Sequence, residues 1–96
     1  MKHKVSGKVV IVGGHDTWLK RFKHSISGNV KYIDREKDFP FSMIKDADVV
    51  WIQLNAVSHG QVTKVKKYAE LYKVPLMFFN YAGVQRCVDQ LIGGAT

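Results

Sequence analysis

Four short apolar runs divide the chain: "KVVIV" at 8–12, "VKYI" at 30–33, "DVVWIQL" at 48–54 and "PLMFFN" at 75–80. They are short and lack strict alternation, a pattern suited to strands buried on both faces of a parallel sheet. The segments between them change period. Trp18, Leu19, Phe22 and Ile26 recur at helical spacing, with Lys20, Arg21, Lys23 and His24 on the other side. Asp16 or Thr17 is placed to cap this helix, and Gly28 to turn the chain after it. Ser58 is placed to cap a second helix, whose stripe of Val62, Val65, Ala69 and Tyr72 must close before Pro75. A third stripe, Val84, Cys87, Val88, Leu91 and Ile92, ends at Gly93 and Gly94. Between the second and third strands, "REKDFPFSMIKDA" holds a proline and about one helical turn around Met43 to Asp46.

Strands alternating with helices predict right-handed crossovers and an α/β fold. The expected architecture is a small, open, parallel four-stranded sheet with helices on both faces, in the flavodoxin-like or Rossmann-like order 2-1-3-4. Residues 1–7 read as a basic N-terminal tail and residues 8–96 as a single domain.

Composition narrows the partners more than the chemistry. Fifteen Lys and Arg against eight Asp and Glu give a formal charge of +7. That excess favours an anionic partner such as a nucleic acid, a phosphate or a propionate-bearing cofactor. A solvated helix face is nevertheless the first reading of "KVKK" at 64–67, with a functional basic surface as the second. One cysteine cannot form an intramolecular disulfide and suits a reducing, cytoplasmic setting. No run approaches the ~18 apolar residues of a membrane span.

In open α/β sheets, ligands bind beyond the carboxyl ends of the strands, where the strand order reverses. With order 2-1-3-4 that point lies between strands one and three. Gly13, Gly14 and His15 leave strand one, while Asn55, Ser58 and His59 follow strand three. Neighbouring strands lie roughly 4.8 Å apart, so His15 and His59 are expected to face one cavity, with Asn80 and Tyr81 beside them. The glycines permit close backbone approach, and the helix start offers N–H groups to an anion. A plain strand-to-helix turn explains "GGHDTW" as well, since it is neither a dinucleotide fingerprint nor a Walker loop. His59 has a similar bland reading as a first-turn helix residue, and Cys87 as a buried core thiol. No nucleophile elbow, phosphoacceptor aspartate or closely spaced zinc set is present in the sequence, so a non-enzymatic protein is expected.

Three segments, "VVIVGGH", "DADVVWIQLNAVSHG" and "PLMFFNYAGVQRC", together resemble the bacterial domain-of-unknown-function family numbered 2325, from residue 8 to about 92. The resemblance implies a small parallel α/β unit. It also implies an association with haem binding and iron-related regulation, with histidine as axial ligand. Carried over by motif, the candidate iron ligands are His15 and His59, with Cys87 as a third. The cofactor-binding set is then Gly13, Gly14, His15, Asn55, Ser58, His59 and Tyr81 around haem b. Haem iron accepts imidazole or thiolate ligands. A chain this short encloses little of a macrocycle, so a homodimer holding haem near the subunit interface is expected. Two further expectations remain: an anion-binding module for a nucleotide or nucleic acid, and a dimeric domain that regulates a partner protein.

Overall fold

The computed structural model describes residues 3–34 and 38–93. In chain order the elements are β1 (His3–Gly13), α1 (Asp16–Ser25), β2 (Ile26–Ile33), α2 (Ser42–Lys45), β3 (Val49–Gln53), α3 (His59–Tyr72), β4 (Leu76–Phe78) and α4 (Val84–Ile92). A short 3-10 turn, Leu54–Ala56, follows β3. All strand pairs are parallel, and the order is β2-β1-β3-β4. The expected strand order and fold class are therefore those of the molecule.

Burial explains the arrangement. Val9 to Val12 of β1 are all 3% exposed or less, although successive side chains point to opposite faces. Both faces of the central strands therefore need cover. Val10, Val12, Val50 and Ile52 pack with Ile44 of α2 and Val65 and Ala69 of α3. On the other face, Val9, Ile11 and Trp51 pack with Trp18 and Phe22 of α1 and Cys87 and Val88 of α4. Phe79 joins that second cluster, its ring stacked on Trp51 at 4.9 Å and edge-on to Phe22 at 5.7 Å. Fully burying each such side chain stabilises the fold by about 1.5 to 3 kcal/mol.

Three boundaries differ from the sequence expectation. Residues 3–7, expected as a tail, belong to β1: His3 and Lys4 pair with Ile26 and Ser27. The register shifts between Lys4 and Lys8, where Gly7 takes a φ of +70°. Val5 is thereby carried onto the Trp18–Phe22 cluster. Second, α1 stops at Ser25, and Ile26 opens β2 instead of extending the helical stripe. Its β-branched side chain is buried either way, so apolar spacing alone did not separate the two. Gly28, expected after the helix, lies within β2 at φ +111°, where an added Cβ would lie 3.0 Å from Val5. Third, His15 rather than Asp16 or Thr17 occupies the N-cap of α1, without a side-chain capping bond.

Lys64 of "KVKK" is not simply solvated. It pairs with Asp38, donates to the Phe39 carbonyl at 3.2 Å and lies over the Phe39 ring, tying the β2–α2 connection to α3. This ammonium holds the Asp38 carboxyl below its usual range. Residues 35–37 of that connection lie outside the described residues.

Gly13 closes the central strand at φ +85°, and a Cβ there would meet the Ala56 carbonyl oxygen at 2.7 Å. Gly13→Ala is expected to cost at least about 2 kcal/mol through left-handed strain and backbone overlap, measured as a lowered urea midpoint.

Candidate functional site

The carboxyl ends of β1, β3 and β4 present three loops along one edge of the sheet. The first two are joined by backbone: the Gly14 N–H donates to the Ala56 carbonyl at 2.7 Å. Gly14 allows this at φ +101°, with the Trp18 ring so near that a Cβ would lie 2.6 Å from it. Both glycines are buried and face protein, which assigns them to loop packing in this structure.

His15 and His59 occupy equivalent places on opposite faces of the sheet. His15 caps α1, and its carbonyl accepts the Leu19 N–H at 2.8 Å. His59 opens α3 directly after Ser58, whose hydroxyl accepts the Gln61 N–H at 3.1 Å, the capping bond expected of it. Both histidines are exposed. The fold thus brings them to one edge, but α1 and α3 cover different faces. His59 lines an open cavity of about 430 Å³ with Leu54, Val57, Val62, Lys66 and Phe78. His15 does not line it. Leu54 is 53% exposed and Phe78 half-buried, with the Lys66 ammonium 5.6 Å from the Phe78 ring centre.

A second cavity, about 610 Å³, borders β4 and α4 and includes Phe78, Asn80, Tyr81 and Arg86. The Arg86 guanidinium lies 5.2 Å from the Tyr81 ring centre. Tyr81 therefore belongs to a different cavity from His59, although Phe78 lines both.

The residue that organises this edge is Gln53, which is not among the candidate residues named above. It is 2% exposed at the end of β3. Its Nε2 donates to the Tyr81 carbonyl at 3.2 Å and lies 3.5 Å from Cys87 Sγ, and its Oε1 accepts the Asn55 N–H at 3.3 Å. One buried amide thus links the loop after β3, the loop after β4 and helix α4. Alternation offered the signal: Gln53 falls on the same face as Trp51, a polar residue at a buried parity position. The thiol of Cys87, wholly buried, donates to the Tyr81 carbonyl at 3.1 Å. Burial pushes this thiol up, against a weaker pull from the Trp18 indole, which stands outside hydrogen-bond geometry, and from Gln53. Cys87 faces these polar groups inside the fold and does not line the His59 cavity. Among the described residues, no group of three or more His, Cys, Asp or Glu is placed to hold a metal ion.

A raised thiol pKa makes the folded state bind more protons than the unfolded chain once pH exceeds the ordinary thiol range. The stabilising contribution is complete below the unfolded pKa and is lost as pH rises through the folded one. Urea midpoints are therefore expected to fall as pH rises above the ordinary thiol pKa of about 8.5, a decline that Cys87→Ser, which does not titrate, should flatten. Tyr32, pushed up to about 12 by burial, adds a further decline only at higher pH.

Among the described residues, no helix is long and apolar enough to cross a membrane. Comparison with curated proteins and with solved structures returns no match. A protein-family profile described as "Uncharacterized protein conserved in bacteria (DUF2325)" matches residues 8–93, which span every strand and helix of the fold apart from the first five residues of β1. The chain belongs to this bacterial DUF2325 family.

Proposed function

We propose that this domain is a non-enzymatic, cytoplasmic haem-binding protein that senses or handles haem or redox state as a homodimer. The carrying observation is the cavity beside α3. It combines an exposed imidazole, His59, with apolar walls from Leu54, Val57, Val62 and Phe78 and one ammonium, Lys66. That donor set fits haem b: the imidazole for the iron, the aliphatic and aromatic walls for one porphyrin face, and the lysine for a propionate. Leu54 remains largely exposed in the single chain, so a second copy has apolar surface to cover. Bound haem supplies an iron whose oxidation state and free coordination positions respond to the cell. The protein's part is to present the ligand and exclude water from the ring.

His59 is the principal ligand in this reading. His15, which stands on the other face of the same edge, ligates only from a second copy. Cys87 is left out of the ligand set because its sulfur is wholly buried against Gln53 and the Tyr81 carbonyl.

A second reading rests on charge distribution. Residues 3–33 carry six Lys and Arg against one acidic residue, Asp16, whereas residues 38–93 carry six against five. The exposed side of α1 holds Lys20, Arg21, Lys23 and His24. This basic face suits nucleic acid, whose binding would weaken steeply with salt.

Absorption titration with haemin, ferric and ferrous, tests the first reading. A saturating Soret band is expected, lost or displaced in His59→Ala. A six-coordinate low-spin spectrum reduced to high-spin by His15→Ala would add the second ligand. A broad, non-saturating band indifferent to both substitutions removes the haem reading and advances the basic face of α1.

A further inference from the structure

The two edges of the sheet are finished differently. β2 carries Lys31, and the Lys23 ammonium lies 4.7 Å from the Tyr32 ring centre beside it. Cations along an edge oppose the addition of another strand. β4 reads Leu76–Met77–Phe78 and carries no charge in the strand itself, although the Lys66 ammonium of α3 lies 5.6 Å from the Phe78 ring centre.

The backbone of β4 alternates as a parallel ladder requires. Toward β3, the Pro75 carbonyl accepts the Val50 N–H at 2.9 Å, and the Phe79 N–H donates to the Ile52 carbonyl at 3.0 Å. Leu76 and Phe78 consequently turn their peptide groups away from β3. A side chain meets this outer edge. Gln90 of α4 donates Nε2 to the Phe78 carbonyl at 3.1 Å and accepts the Asn80 N–H at Oε1, 3.0 Å away. A primary amide thus stands where a peptide group of a fifth strand would stand. The groove beside it is lined by Leu76, Phe78, Tyr81, Arg86, Asp89 and Gln90, among others.

Charge selects the occupant. Two copies of a chain with a formal charge of +7 repel across most of their surface. From Val74 to Gly93, however, the only charged residues are Arg86 and Asp89, of opposite sign and both exposed on α4, while on the α3 side of the strand Lys66, Glu70 and Lys73, again of both signs, border Val74 and Leu76. A two-fold contact is self-complementary, so it can set Arg86 of each copy against Asp89 of the other.

We propose that a second copy of this chain docks edge to edge on β4 about a two-fold axis. Its β4 backbone takes over the place of the Gln90 amide, and the two sheets become continuous. The inference rests on the homodimer named above and not on haem. An extended peptide from another protein is the rival occupant.

Sedimentation velocity on the full chain without haem, over low to high micromolar concentration, provides the test. The wild type should dimerise. Arg86→Asp and Asp89→Arg should each weaken the dimer by about tenfold or more, because each sets like charges against one another. The double substitution, which restores the pairing with signs exchanged, should recover it. Circular dichroism checks folding, and if one single variant is unfolded the other carries the same comparison. A wild type monomeric throughout would overturn the proposal and leave the edge to a foreign peptide. So would a dimer indifferent to both single changes, or a double variant as weak as the singles. A haem-free dimer that gives no Soret band with haemin would sustain this interface while ending the haem reading, and a monomer that binds haemin would do the reverse.

Discussion

The structure depends on the burial of β1 and β3 from both sides. Val9 to Val12 and Val50 to Ile52 are nearly inaccessible, yet alternate residues point in opposite directions. No single layer of helices can cover them. The chain therefore places α1 and α4 on one face and α2 and α3 on the other, and each crossover needs a helix. In a domain of this size that leaves two kinds of accessible surface near the sheet: the loop-bearing ends of the strands and the outer edges of β2 and β4.

The carboxyl edge is held together by backbone and by one amide. The Gly14–Ala56 bond joins the loop after β1 to the 3-10 turn after β3. Gln53 joins that turn to Tyr81 and Cys87. A buried amide left without partners costs about 1 to 3 kcal/mol, so these bonds are a condition for keeping Gln53 inside at all. The result is a fixed surface from which the first turns of α1 and α3 project. His15 and His59 stand at those two starts, and both are exposed to solvent.

Much of this was legible in the sequence, for physical reasons. Continuous apolar runs and helical stripes specify buried parallel strands and crossovers, and Ser58 announced the start of α3 through the chemistry of its hydroxyl. The misread places are those where two patterns coincide. Ile26 fits the helical stripe and also starts β2, and residues 3–7 look like a charged tail because Lys4 and Lys8 lie on a strand with an irregular register. The site was half visible. Strand order puts His15 and His59 at one edge, and the right-handed crossovers, running from β1 to β2 in one direction and from β3 to β4 in the other, put α1 and α3 on opposite faces, which separates the two imidazoles. Gln53 is marked by alternation as a polar residue on the Trp51 face, whereas nothing in the sequence marks Gln90, because a glutamine is commonly a solvent residue. Its value as a backbone surrogate appears only when a carbonyl and an N–H are placed before it.

Phe78 connects the two surfaces that the fold leaves open. Its ring lines the His59 cavity, and its carbonyl lies on the outer edge of β4 under Gln90. A ligand against that ring and a strand along that backbone would act on one residue with one set of dihedral angles. Any preference of one for a particular β4 geometry changes the free energy available to the other. By linkage the effect is reciprocal: whatever factor a bound ligand applies to association, association applies to the ligand. β4 is short, and the Gln90 amide already occupies its outer edge with the hydrogen-bonding chemistry of a peptide group.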